Sequence, residues 1–114
     1  MGNMIKKNFD SPDEKMQPAE KITAEIVQIG EWKFQRIIAK PGWKWSIDLK
    51  SVFKTESCPI DHLLYMISGK MTVRMDDGQE ISYGPGDIAH IPPGHDGWGD
   101  GEKATVWIEI PHEQ

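Results

Sequence analysis

From Gly84 to His95 the sequence reads GPGDIAHIPPGH, in which two Pro-Gly turn signals bracket a short strand-like run. Pro85 and Gly86 supply a fixed φ and a permissive residue, as a sharp turn requires. Residues 87–91 then form a run that is too short for a helix. Pro92 ends this run, because proline has no N–H to give to a neighbouring strand. A short strand between two Pro-Gly turns is typical of a small all-β barrel, and the histidine just past the second turn points to a site at the barrel mouth.

The overall composition predicts one small acidic domain. The chain has 114 residues, a formal net charge of −5 and one cysteine. A negative chain without a basic cluster argues against nucleic acid and anionic membranes as partners, and no apolar run is long enough to span a membrane. Residues 1–10 lack the apolar core of a signal peptide, and one cysteine forms no internal disulfide, so we expect a cytoplasmic setting. Because small β domains gain stability by pairing, we also expect a homodimer.

Short strand-like runs separated by turn signals fill most of the chain. Residues 1–20 are polar without clear periodicity and are expected to form a flexible arm, whereas residues 21–114 are expected to form the folded domain. No segment has sustained helical periodicity, so we predict an all-β sandwich or barrel of about eight strands. The predicted strands are Ile22–Ile29, Trp32–Ala39, Trp43–Leu49, His62–Ser68, Met71–Met75, Gln79–Tyr83, Asp87–Ile91 and Lys103–Ile110, the last with alternating Ala104, Val106, Ile108 and Ile110.

From residue 41 to residue 110 the chain resembles the cupin superfamily. The second cupin motif begins with glycine, five residues and Pro-x-Gly, and this sequence has Gly86, five residues and then Pro92-Pro93-Gly94. The first motif ends in glycine, which Gly69 matches. The resemblance implies a double-stranded β-helix, or jelly-roll barrel, in a single copy. A shared fold does not specify an activity.

The metal-binding motif of the family is altered in this chain. Where the family has His-x-His-x-x-x-Glu, alignment on the glycine that ends the first motif gives Glu56-x-Cys58-x-x-x-His62. The histidine of the second motif falls at Gly97, whereas this chain has His95 two residues earlier. The usual set of three histidines and one glutamate is therefore absent.

The altered set predicts a softer metal site. Glu56, Cys58 and His62 have even offsets, so on one continuous strand they share the interior face, opposite the loop that carries His95. A thiolate and two imidazoles, with an optional carboxylate, hold a divalent metal and leave a position open for water or substrate. Zinc is favoured over manganese or magnesium, and nickel, iron and copper also suit these ligands. The alternative is a metal-free barrel in which Cys58 is a buried apolar residue, His62 hydrogen-bonds internally and His95 forms a turn with Asp96.

A pocket for a small molecule is expected beside these ligands. We assign Trp43, Trp45, Tyr65, Asp96 and Trp98 to it, because such sites are mostly apolar with a few polar groups. For the first two tryptophans, packing in the core is the stronger alternative.

The sequence therefore predicts a cupin-like barrel that binds a small molecule, with a divalent metal held by the Cys/His/His site. If the protein is an enzyme, the metal acts as a Lewis acid or activates a water, with Glu56 or Asp96 as general base. Isomerisation, dioxygenation and hydrolysis are the reactions that the resemblance implies. The alternative is a non-catalytic, metal-free barrel that binds or senses a ligand.

Overall fold

The computed structural model describes residues 2–110, which form nine strands and two four-residue helices. The prediction of an all-β fold is confirmed. Within residues 2–110, no helix is long and apolar enough to cross a membrane. The elements are β1 (Glu14–Ala19), β2 (Ile22–Ile29), β3 (Trp32–Ala39), α1 (Trp45–Asp48), α2 (Lys50–Phe53), β4 (His62–Ser68), β5 (Lys70–Met75), β6 (Glu80–Tyr83), β7 (Ile88–Ile91), β8 (His95–Asp100) and β9 (Thr105–Glu109).

Two antiparallel sheets face each other in the manner of a jelly roll. The larger sheet has the strand order β1-β2-β3-β9-β4-β7, and the smaller sheet has the order β6-β5-β8. Apolar side chains from both sheets form one core between them, in which Leu64, Met66 and Trp107 of the larger sheet pack in the same cluster as Met71 and Val73 of the smaller one. Burial of this face is the main stabilising contribution to the fold.

The second Pro-Gly turn leads directly into a strand. Gly94 has a φ of 94°, a conformation that L side chains rarely adopt, and a Cβ there would lie 3.2 Å from Asp76 Oδ2. β8 begins at the next residue, His95. The expectation that His95 lies in a loop is therefore wrong, and its side chain is buried at the start of a strand.

The predicted strand Trp43–Leu49 is replaced by the helical turn of α1. Side chains satisfy the free backbone N–H groups at its start: Lys44 N–H donates to Asp48 Oδ2 at 2.8 Å, and Ser46 N–H donates to Asp96 Oδ1 at 3.0 Å. Trp43 and Trp45 are buried but Ile47 is 73% exposed, so the three side chains do not share one face as they would on a strand.

Part of the predicted flexible arm is a strand. β1 pairs antiparallel with β2, from Glu14 opposite Ile26 to Ala19 opposite Ile22. All but the last of its side chains are exposed, so the sequence carries no hydrophobic alternation that would reveal the strand. The boundary expected at residue 20 therefore does not separate an arm from the sheet.

The last strand turns its alternating apolar residues away from the core. Thr105 is 0% exposed and Trp107 is also buried, whereas Ile110, from the apolar set, is exposed. Since strand side chains alternate between faces, Glu109 lies on the same inner face as Thr105 and Trp107. This orientation brings an acidic residue to the interior.

Candidate metal centre

A cavity of about 500 Å³ lies between the two sheets. Its walls are mostly apolar and include Trp43, Trp45 and Trp107, and the polar residues that line it include Cys58, His62 and His95. A concave apolar site of this size with a few convergent polar groups is typical of small-molecule binding sites.

The three predicted ligands Cys58, His62 and His95 converge in this cavity. One donor atom from each lies within 4.8 Å of the other two. Backbone pairing explains the juxtaposition: Cys58 N–H donates to the His95 carbonyl at 2.8 Å, and Gly94 N–H donates to the Cys58 carbonyl at 2.8 Å. His62 is the first residue of β4.

Cys58 and His62 do not lie on one continuous strand, contrary to the prediction. Within the described residues, Cys58 belongs only to an isolated bridge with His95, and β4 begins after Pro59 has interrupted the chain. The even offsets of the three motif residues therefore do not give them one shared face.

Hydrogen bonds fix the orientation of His95. Its Nδ1 lies 2.8 Å from the carbonyl oxygen of Pro92. Because a carbonyl only accepts, Nδ1 is the protonated nitrogen, and in the neutral ring Nε2 keeps its lone pair for a metal.

Glu109 is a site residue that sequence reasoning missed. Its Oε1 lies 2.6 Å from His62 Nδ1 and accepts a hydrogen bond from Trp107 Nε1 at 3.1 Å. On the opposite side of the ring, His62 Nε2 lies 3.7 Å from Cys58 Sγ. The available signal was an acidic residue among the apolar residues of the last strand, on the face of Trp107.

The pKa values of Cys58 and His62 both shift toward their charged forms. Burial alone would raise the pKa of Cys58, but contacts with His62 and His95 outweigh it and lower that pKa to about 6. Burial likewise opposes the charging of His62, but contacts with Cys58 and Glu109 raise its pKa to about 9. Burial also opposes ionisation of Glu109, yet its contacts with His62 lower the pKa of that carboxyl. Without metal, a thiolate therefore lies beside an imidazolium at neutral pH.

The donor set fits a zinc-like ion. Zinc binds thiolate sulfur at about 2.3 Å and imidazole nitrogen at about 2.0–2.1 Å, so ligand atoms around a tetrahedral ion lie roughly 3.3–3.8 Å apart. The present separations, all within 4.8 Å, require only a modest contraction. The Nδ1 atoms of the two histidines, which point away from the other ligands, are hydrogen-bonded to Glu109 and to the Pro92 carbonyl, as is usual for metal-binding imidazoles.

A family profile for the EutQ-like cupin domain matches residues 44–107. The chain belongs to the EutQ-like cupin domain family. The match confirms the resemblance found in the sequence and includes all three converging ligands of this cupin, while Glu109 lies two residues beyond it. A search among curated proteins gave no match.

Solved structures with the same fold are distant in sequence. The polyketide cyclase RemF from Streptomyces resistomycificus is 16% identical over 95% of this cupin and 78% of its own chain, with a TM-score of 0.66. A cupin domain of an XRE-family regulator from Enterobacter cloacae is 14% identical over 83% of this chain and 99% of its own, with a TM-score of 0.60. Oxalate decarboxylase from Bacillus subtilis is 25% identical over 86% of this chain but only 27% of its own, with a TM-score of 0.58.

Four of the predicted site residues lie outside the cavity of this cupin. The Glu56 side chain is 97% exposed and pairs with Lys50 at 3.2 Å, because the loop after α2 turns it to the surface. Tyr65 lies on the outer face of β4, between the buried Leu64 and Met66.

Asp96 and Trp98 alternate with His95 and Gly97 along β8 and therefore face outward. Asp96 holds the start of α1 through Ser46, and the Trp98 ring lies under Lys44 at 5.2 Å. The candidate general bases are thus removed from the cavity, whereas Trp43 and Trp45 line it and are also buried.

Proposed function

We propose that this cupin binds a divalent metal, with zinc favoured, through Cys58, His62 and His95, and that it holds a small molecule in the adjoining cavity. The observation that carries the proposal is the convergence of one sulfur and two imidazole nitrogens in a cavity of about 500 Å³. Three protein ligands leave a fourth tetrahedral position open, which is the arrangement of catalytic rather than structural zinc sites. Nickel, iron and copper are also compatible with these donors.

Each residue of the site has a distinct role in this proposal. Cys58 supplies the thiolate, and its lowered pKa keeps it deprotonated at neutral pH. Glu109 and the Pro92 carbonyl hold the outer nitrogens of His62 and His95, which directs the inner nitrogens toward the ion. A bound divalent metal supplies Lewis acidity for a ligand oxygen or lowers the pKa of a water.

The second candidate function is a metal-free barrel that binds or senses a ligand. It is favoured by the closed chain of contacts from Cys58 through His62 to Glu109, in which a thiolate, an imidazolium and a carboxylate satisfy one another without an ion. Both candidates use the same apolar cavity, so they differ in metal content and not in ligand position. The single cysteine, which is buried, supports a reducing cytoplasmic location in either case.

We also propose that a second copy of the chain covers the outer face of the larger sheet. Tyr65 pairs in register with Ile108 on one side and with Ile88 on the other, so their outward side chains are neighbours. An exposed apolar surface that continues across several strands is typical of an interface, and a two-fold axis would bury the same surface on both copies. The exposed apolar residues of this outer face are Leu63, Tyr65, Ile67, Ile88 and Ile110.

Metal content tests the proposed function. The protein is purified without a histidine tag after growth with added zinc, iron and nickel, and elemental analysis gives the metal bound per chain. We expect about one equivalent in the parent and a large loss in Cys58→Ala and His62→Ala. His90→Ala is the matched control, because His90 is exposed on the outer face of β7 and contacts Asp61. Substoichiometric metal in a folded parent would favour the metal-free barrel.

A further inference from the structure

The cavity that contains the converging ligands is also lined by a cationic side chain, Lys33. Along the inner face of β3, Ala39 and Ile37 lie within the core, and Gln35 and Lys33 follow toward the more exposed end of the strand. Gln35 is directly opposite Glu109 in the sheet, and Lys33 is two residues farther along the same face. Two residues of strand correspond to roughly 7 Å, a gap that a lysine side chain spans.

Lys33 has no ion pair or hydrogen-bond partner for its ammonium group among residues 2–110. Its side chain lines the cavity while remaining exposed to solvent. The nearby carboxylate of Glu109 is instead engaged by His62 and Trp107. Among residues 2–110, Lys33 is therefore the cavity-lining lysine without a partner for its charge.

The rest of the cavity provides an apolar surface. Trp43 and Trp107 lie against each other with ring centroids 5.6 Å apart, and Leu64 and Ile37 are buried beside them in the same core cluster. A purely polar ligand would lose its hydration on this surface without compensating hydrogen bonds. An apolar body is therefore favoured there, and a neutral molecule leaves the Lys33 charge unused.

We propose that the ligand of this cavity is a small amphipathic carboxylic acid. Its apolar body lies against Trp43 and Trp107, and its carboxylate lies at the polar end, between Lys33 and the Cys58, His62 and His95 ligands. This inference rests on the proposed function, because it assigns a ligand class to the same site. An amine of the same shape would be repelled by Lys33, and an alcohol has no negative charge to pair with the ammonium group.

Three probes with one apolar body test the ligand class. Calorimetric titrations compare 3-phenylpropionate, 3-phenylpropanol and 3-phenylpropylamine on protein of known metal content. We expect the acid to bind more tightly than the alcohol and the amine. Lys33→Met is expected to weaken the acid about threefold and to leave the alcohol unchanged, since an exposed charge pair contributes a factor of this order. Lys70→Met is the matched control, because this exposed lysine does not line the cavity.

The outcomes separate this inference from the metal proposal. A preference for the acid that Lys33→Met removes and Lys70→Met retains supports the ligand class, whether or not the protein carries metal. Equal binding of the three probes, binding of none, or a preference unchanged in Lys33→Met overturns it. If the protein binds one equivalent of metal but does not prefer the acid, the proposed metal site is supported and only the proposal of a carboxylate ligand is wrong.

Discussion

His62 Nδ1 and Glu109 Oε1 lie 2.6 Å apart, although 47 residues separate them in the chain. This contact exists because β4 and β9 are neighbours in the larger sheet, with Leu64 opposite Glu109. It turns the opposite nitrogen of His62 toward Cys58. Pairing of β4 with β9 therefore sets the orientation of His62 in the candidate metal centre.

Replacing Glu109 by glutamine should weaken metal binding. The amide retains the shape of the side chain but not the charge that holds His62, and loss of such a partner typically costs about tenfold or more in metal affinity. Competition with a chromogenic zinc chelator measures the change. Glu102→Gln, at an exposed loop position, is the control and should retain the parent affinity. Equal affinity in both variants would contradict a positioning role for Glu109.

In metal-free protein, the Cys58 thiol should ionise with a midpoint near pH 6. The ultraviolet absorbance of the thiolate, followed against pH, gives this midpoint directly. In His62→Gln the largest of the contacts that lower the Cys58 pKa is lost while burial remains, so the midpoint should move to higher pH. A parent midpoint at or above the ordinary thiol value of 9.0 would show that the two side chains do not form an ion pair.

The same pair should give the metal-free protein a nearly flat stability between pH 6.5 and pH 9. Cys58 has a lowered pKa. Its ionisation therefore contributes fully to the free energy of unfolding above pH 9.0, and this contribution is lost as the pH falls through about 6. His62 has a raised pKa. Its protonation therefore contributes fully to the free energy of unfolding below pH 6.5, and this contribution is lost as the pH rises through about 9. Between pH 6.5 and pH 9 the pair binds one proton in both states, on His62 in the folded protein and on Cys58 in the unfolded chain. Equal proton binding in the two states gives no dependence of stability on pH.

Urea unfolding of the metal-free protein at several pH values between 6.5 and 9 tests this prediction. The contributions of these two groups should offset each other, and the free energy of unfolding should show no steep slope. A steep change in the parent that disappears in Cys58→Ala would contradict the paired ionisation.

Much of the fold could be predicted from local turn chemistry, and the site only in part. Pro85-Gly86, Gly69 and Pro92 to Gly94 encode conformations that few other residues adopt, and the structure has positive φ at all three of these glycine-containing turns. Helix α1 was missed because one of the groups that hold its start, Asp96, is 50 residues away.

Glu109 and Tyr65 show why the facing of a strand is harder to predict than its existence. In β9 the alternating aliphatic residues face outward, so hydrophobic alternation selects the wrong side for the interior. Tyr65 was assigned to the pocket for its residue type, but its neighbours Leu64 and Met66 occupy the inner face. An apolar outer face of this kind makes both sides of a strand resemble a core face.

The proposed dimer should dissociate when a charge is placed on its apolar face. Ile88 is 74% exposed on β7, and Ile88→Glu would bury an unpaired carboxylate in the interface. Light scattering coupled to size exclusion should give a dimer for the parent and a monomer for the variant. Ile47→Glu is the matched control, since Ile47 is 73% exposed on α1. A monomeric parent at high concentration, or a dimeric Ile88→Glu protein, would contradict this interface.

Metal binding near neutral pH should release about one proton, because His62 is protonated there and must lose its Nε2 proton to coordinate the ion, whereas Cys58 is already ionised. Calorimetric titrations in buffers of different ionisation enthalpy give the number of protons. Affinity should fall as the pH is lowered from about 9, the pKa of His62. Release of two protons would mean that Cys58 enters as the thiol.

X-ray absorption at the zinc edge identifies the atoms that bind the metal. For protein loaded with one equivalent of zinc, we predict one sulfur at about 2.3 Å and two imidazole nitrogens at about 2.0–2.1 Å. The sulfur shell should disappear in Cys58→Ala. A spectrum of the parent with only oxygen and nitrogen ligands would contradict a metal centre built from Cys58, His62 and His95.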